Sequence, residues 1–163
     1  MISPRTLVVY QSIHHQSTAH VADVIASTLN ADLCRPDEVT PEKVLDYDLI
    51  GFGSGIYFGR FHSSLREWID RAPDVSLIHR KAFVFSTEGL PSLGWLWHRS
   101  LKSRLLRKGF DIIGEFQCSG FDTVGPLIML GGLNRGHPDK QDLENAAGFA
   151  QDLLLKMSGV ETA

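Results

Sequence analysis

Two periodicities of apolar positions alternate along this chain, and the changes from one to the other mark its elements. Residues 6–11 form a short run rich in β-branched and aromatic side chains, Thr6-Leu7-Val8-Val9-Tyr10, which predicts a strand. From Ser17 onward Ala19, Val21, Ala22, Val24, Ile25 and Leu29 recur at helical spacing, so a helix is predicted over 17–29. A short second strand at 31–34 precedes a Pro/Asp/Glu-rich passage and a helical turn at 41–45. The third strand, 47–53, holds the buried-looking run Leu49-Ile50-Gly51-Phe52 and stops at Gly53-Ser54-Gly55. A helix over 62–72 turns Leu65, Trp68 and Ile69 inward. The fourth strand, 81–86, contains Ala82-Phe83-Val84-Phe85, too short and too β-favouring for a helix. After a Gly- and Trp-rich loop, a helix over 98–108 ends at Gly109, a residue suited to a left-handed cap. A fifth strand at 111–118, a loop of about twenty residues at 119–138 and a helix at 139–157 complete the chain.

Strands that alternate with helices predict an α/β fold, a parallel sheet covered on both faces by right-handed crossovers. Residues 1–163 read as one domain, without repeat, linker or low-complexity segment. Ligands in such sheets sit outside the carboxyl ends of the strands, where the strand order reverses. Three unusual loops fall at such ends: 11–18, 53–60 and 86–97.

With 163 residues, 43% hydrophobic and 21% charged, the chain is long enough for a single core. A net charge of -3 leaves no electrostatic footprint for nucleic acid or an anionic membrane. Cys34 and Cys118 form no CxxC or ligand cluster and read as reduced and inert, which with the absence of a membrane-length apolar run predicts a cytoplasmic protein with no membrane span.

The first loop, Ser12-Ile13-His14-His15-Gln16-Ser17-Thr18, joins a strand to a helix through hydroxyls and amides, with no Lys or Arg. Helix N-terminal amides and the helix dipole converge there, so it reads as a neutral anion cradle. In the second loop, Ser54-Gly55-Ile56-Tyr57-Phe58-Gly59, glycines admit a flat ligand and Tyr57 and Phe58 offer stacking faces; the alternative is a tight turn whose aromatics cap the core. Ile56 breaks the G-x-G-x-x-G dinucleotide pattern and Phe52 breaks a G-x-S-x-G elbow, so a Rossmann dehydrogenase and a serine hydrolase both lose ground. No metal site is expected, because adjacent His14 and His15 point apart on an extended loop and neither cysteine is near; one of the pair instead reads as a phosphate contact. His62, His79, His98 and His137 read as surface or core-edge residues. Trp95 and Trp97 wall a substrate pocket or anchor the next helix, and loop 119–138 reads as a lid, a partner surface or an ordered cover for the sheet edge. The basic stretch Arg99, Lys102, Arg104, Arg107 and Lys108 reads as a solvated helix face.

These residues together resemble the flavodoxin-like FMN proteins. The loop Ser12 to Thr18 is similar to that family's phosphate loop, S/T-x-T-G-x-T, with His14 in place of a hydroxyl and His15 in place of glycine. The Ser-Ile-His-His form, the run 47–59 and Gly-Phe-Asp-Thr at 120–123 resemble one flavodoxin-domain subgroup. The resemblance implies a three-layer sandwich with five parallel strands in the order 2-1-3-4-5, and FMN as cofactor. It implies that Ser12, His14, His15, Gln16, Ser17 and Thr18 hold the phosphate. Ser54, Gly55, Ile56, Tyr57, Phe58 and Gly59 would flank the isoalloxazine, with Tyr57 stacking and a turn amide meeting flavin N5. Ser86, Thr87, Glu88 and Gly89 would line its other edge, where Glu88 either disfavours an anionic reduced flavin or is a solvated loop acid. The electron chemistry itself belongs to the cofactor.

Three functions then compete. The first is an FMN redox protein, an electron carrier with a partner protein or a small oxidoreductase with a small-molecule donor or acceptor. The run from Gly55 to Leu65 is also similar to the protoporphyrinogen dehydrogenase branch, a flavin enzyme that passes electrons to quinone. The third, a flavin-free receiver-like regulatory domain, lacks the acidic cluster that it would need after strand one.

Overall fold

The computed structural model describes residues 3–13, 15–121 and 134–159. Alternating burial along each strand builds its layers. In β1 (Thr6–Gln11) Leu7 and Val9 join one apolar cluster and Val8 the other; in β3 (Leu49–Tyr57) Ile50 and Phe52 oppose Leu49; in β5 (Lys81–Glu88) Ala82 and Val84 oppose Phe83 and Phe85. The first cluster is covered by α2 (Ser63–Arg71) and α3 (Gly94–Arg107) through Leu65, Trp68, Ile69, Leu101 and Leu105, the second by α1 (Ser17–Leu29) and α4 (Lys140–Met157) through Val21, Ile25, Ala146 and Leu153. Trp68, fully buried, gives its indole N–H to the Val39 carbonyl at 2.7 Å, so the core leaves that donor satisfied.

With β2 (Asp32–Cys34) and β6 (Asp111–Ser119), the sheet runs β2-β1-β3-β5-β6, all parallel. This is the expected flavodoxin-like order, the predicted fourth and fifth strands being β5 and β6. Strand β4 (Arg60–Phe61) pairs antiparallel with the end of β3 and was not expected.

Several boundaries differ from expectation for identifiable reasons. β3 runs through Gly53-Ser54-Gly55 to Tyr57 instead of stopping. A Cβ at Gly51 or Gly53 would lie 2.2 or 2.1 Å from the ring of Phe83 or Phe85, so the glycines make room for aromatics on the neighbouring strand. The turn is confined to Phe58 and Gly59, whose φ values of 49° and 73° are the paired left-handed conformations of a tight hairpin. β5 likewise continues to Glu88, and α3 starts at Gly94, so Trp95 and Trp97 belong to its first turn and not to a loop. His98 is fully buried, not a surface or core-edge residue, because it continues the inward stripe of Gly94, Leu101 and Leu105. Most of the expected loop 119–138 lies outside the described residues.

On the outer strand β6, Ile112 and Gly114 face consecutive residues of β5, leaving Ile113 as a bulge. Lys156 of α4 donates its Nζ–H to the Ile113 carbonyl at 2.8 Å. No helix among the described residues is long and apolar enough to cross a membrane.

Candidate functional site

The start of α1, the carboxyl ends of β3 and β5 and the residues that follow β6 line an open cleft on the side where the strand order turns back. Its floor starts at α1. His15 and Gln16 adopt left-handed φ of 53° and 56° and bring the chain sharply into the helix, whose N-cap has no side-chain hydrogen bond and whose first turn has no acid. The positive end of the helix dipole is therefore not offset by a local carboxylate. Ser17 and Thr18 are buried at this end and line the cleft. Ser17 Oγ accepts the Phe121 amide at 3.3 Å, and the Thr18 and Thr87 hydroxyls meet at 2.8 Å, tying α1 to β5. Ser12 Oγ is buried with no hydrogen-bond partner among the described residues, an acceptor and donor awaiting a polar group. His15 and Gln16 are exposed, with the His15 ring 4.2 Å from that of Phe121, and His14 lies outside the described residues.

The end of β3 supplies the middle wall through Gly55, Ile56 and Tyr57. Tyr57 folds over Gly55, where a Cβ would sit 2.8 Å from its hydroxyl, and meets the His62 ring edge-on at 5.7 Å. Ser54 points elsewhere, and its Oγ donates to the Gly55 carbonyl at 2.6 Å and accepts the His62 amide at 3.0 Å, securing the entry to α2. Phe58, 93% exposed, stands at the hairpin tip, and Gly59 packs against the Trp97 ring.

Alternation along β5 sends Thr87 to the α1 side, while Ser86 and Glu88 face α3. Glu88 is 4% exposed, not a solvated loop acid. Its Oε1 is 3.5 Å from Ser86 Oγ, its Oε2 has no partner among the described residues, and burial pushes the carboxyl up to about 7. Gly89 continues the wall, and Gly120 and Phe121 close it. Those last two were missing from the expected site residues, although they directly follow β6 at the same end of the sheet that flagged the other loops.

A separate cluster, His137, Asp139 and Asp142, has metal-ligand chemistry but serves the start of α4: Asp139 and Asp142 form a reciprocal capping box, and Asp142 also contacts His137 Nδ1 at 2.6 Å.

The cleft thus offers glycine-lined walls to a flat ring, hydroxyls and a helix start to an anionic tail, and no Lys or Arg among the described residues that line it. The chain is 45% identical over 150 residues to an uncharacterised protein of Methanocaldococcus jannaschii, covering 92% of this chain and 98% of that one. Among solved structures it is similar to a flavodoxin from the domain Archaea (TM-score 0.68, 12% identity, 94% and 99% of the two chains) and to oxidised flavodoxin 2 of Bacillus cereus (0.65, 20%, 93% and 99%). It is also similar to the rubredoxin oxygen:oxidoreductase of Desulfovibrio gigas (0.72, 14%), of which it spans 37% while 98% of this chain is covered. The flavodoxin domain profile matches residues 7–92, which include β1, α1, β3 and β5, and the chain belongs to the flavodoxin domain family, as a flavodoxin-like flavin redox protein.

Proposed function

We propose that the cleft binds FMN and that the protein is an FMN-dependent oxidoreductase. The observation that carries the cofactor reading is that two buried polar atoms lack a partner among the described residues, Ser12 Oγ in the loop between β1 and α1 and Glu88 Oε2 at the end of β5, where the residue lines the cleft. Ser12, Ser17, Thr18 and the amides opening α1 hold the phosphate, aided by His14, His15 and Gln16 of the same loop. With no Lys or Arg among the described lining residues, the work falls to dipoles and hydroxyls. Segment 54–59 flanks the ring with Tyr57 as its stacking face, and 86–89 borders the other edge. Bound there, FMN supplies one- or two-electron transfer, while the chain orients it and excludes water.

The rim favours a small apolar substrate over a carrier's charged docking surface. Phe58, Leu90, Leu93 and Trp95 are exposed to 93%, 57%, 38% and 59%, around a turn that packs on Trp97. A quinone, flat and largely apolar, suits that border, as the acceptor of protoporphyrinogen-type, quinone-linked dehydrogenases. Binding of FMN and riboflavin to wild type and to Ser17→Ala/Thr18→Ala tests the site: the double variant should lose roughly a hundredfold in FMN affinity, as two hydrogen bonds to a charged group warrant, with much less loss for riboflavin. A protein that stays colourless with micromolar FMN, or equal losses for both ligands, refutes the assignment.

A further inference from the structure

A file of polar groups crosses the apolar layer between β5 and α3. Ser86 Oγ lies 2.7 Å from His98 Nε2, His98 Nδ1 lies 3.2 Å from Glu115 Oε2, and the same oxygen accepts Lys102 Nζ at 2.9 Å. At its inner end, Ser86 Oγ is 3.5 Å from Glu88 Oε1. Ser86 and His98 are wholly buried, whereas the Glu115 side chain is 42% exposed. The file therefore begins in solvent and ends at a carboxyl whose other oxygen is unpartnered and whose residue lines the cleft. Packing alone does not call for it. His98 occupies a helix stripe otherwise made of Gly94, Leu101 and Leu105, against Phe61 at 5.3 Å, where an apolar side chain would avoid burying polar atoms.

We propose that Glu115, His98, Ser86 and Glu88 form a proton relay between solvent and the cleft, serving the proton uptake that accompanies reduction of its flavin. The proposal rests on the FMN reading above. In the inward direction Glu88 releases its proton from Oε2 into the cleft. Glu88 Oε1 then takes the Ser86 hydroxyl proton, Ser86 Oγ takes the proton of His98 Nε2, and His98 Nδ1 takes one that solvent delivers through the Glu115 carboxylate, which ends ionised as it began. Only O–H and N–H bonds change, and none of the four groups is oxidised or reduced; the electrons reach the flavin from its ordinary donor. One proton enters, and the imidazole passes from its Nε2–H to its Nδ1–H form. Reoxidation returns one proton by the reverse path and restores the first form, so the packed ring never has to flip.

The surroundings suit this traffic. Around His98 stand Lys102 on its own helix, Glu115 on β6 and the Phe61 ring of β4; burial holds the imidazole below its usual value, and hence neutral. Burial raises Glu115 too, but the hydrogen bond and charge of Lys102, joined by His98 when its Nδ1 carries the proton, outweigh it and keep the carboxylate low, and its half-exposed side chain exchanges protons with water. Glu88 faces Ser86, Gln117 of β6 and the first residue of α3, Gly94, where a Cβ would lie 2.2 Å from both Glu88 Oε1 and Gln117 Oε1; Cys118 of β6 is also near enough to feel its charge. The start of that helix favours the carboxylate left behind when the proton departs.

The test has two arms. In the flavin-free protein, the His98 tautomer is read by nitrogen NMR and the protonated Glu88 carboxyl by its infrared carbonyl band. Glu88→Gln should shift the tautomer balance of His98, Ser86→Ala should abolish that response, and Ser86→Thr, which keeps the hydroxyl, should restore it. In FMN-loaded protein, His98→Gln should slow flavin reduction by dithionite roughly tenfold between about pH 6 and 8 and change its solvent deuterium isotope effect. Glu115→Gln should give the same sign with a smaller effect. A His98 that ignores Glu88→Gln, or rates and isotope effects equal to wild type in folded His98→Gln, overturns the relay while leaving FMN binding intact. A protein that takes no FMN overturns both.

Discussion

A carboxyl at 4% exposure with one oxygen unpaired keeps its proton into the neutral range because desolvation penalises the anion. The consequence for folding has a definite sign. The folded value of about 7 lies above the unfolded value of 4.5, so the stability associated with Glu88 is fully present below pH 4.5 and is lost as pH rises through 7. Glu88→Gln, which cannot ionise, should make the flavin-free protein more stable at about pH 8 by on the order of 3 kcal/mol, with the gap closing on acidification. Urea titrations across pH read this directly, and a variant no more stable than wild type at alkaline pH contradicts it. Nothing local in Ser86-Thr87-Glu88-Gly89 reveals the burial. The acid reads as the solvated start of a loop, and only the extra length of β5 and the close start of α3 at Gly94 enclose it. His98 was more nearly legible: its spacing from Leu101 and Leu105 belongs to the inward stripe, but the neighbouring Arg99 and Lys102 disguise it.

At the scale of elements, α1 could be read to the residue because one helix's spacing of Val21, Ala22, Ile25 and Leu29 is contained in its own sequence. β3 could not, because the reason for its glycines lies on another strand. The pairing of Gly51 with Phe83 and Gly53 with Phe85 places each ring over a position without a Cβ. Gly53→Ala should therefore cost about 1–3 kcal/mol through overpacking, despite alanine's better fit to ordinary strand backbone. Phe85→Leu in the same chain should recover part of that loss, and the pair should be non-additive in denaturant melts. Simple additivity would mean that the ring is not what excludes the methyl group. The site was legible in the same unequal way. The loop at the start of α1 and the end of β3 announced themselves by composition, whereas Gly120 and Phe121 were hidden by a long connecting segment and enter only through the topology that brings β6 beside β5.

For the molecule as a whole, the cleft opens beside an apolar border on a chain with net charge of only -3. Reoxidation of the reduced protein by a short-chain quinone should therefore vary little with ionic strength, whereas a steep fall in rate with salt toward a charged protein acceptor, and none toward quinone reactivity, would favour the carrier role. Stopped-flow measurements over a salt series separate the two. The opposite flank of the sheet has a different consequence. The bulge at Ile113 breaks the regular ladder of the outermost long strand, and the Lys156 ammonium occupies the carbonyl left facing outward. A second copy approaching side by side would find its lateral growth point already blocked by a positive charge, so crowding this protein to high concentration meets a built-in deterrent to ribbon-like aggregation.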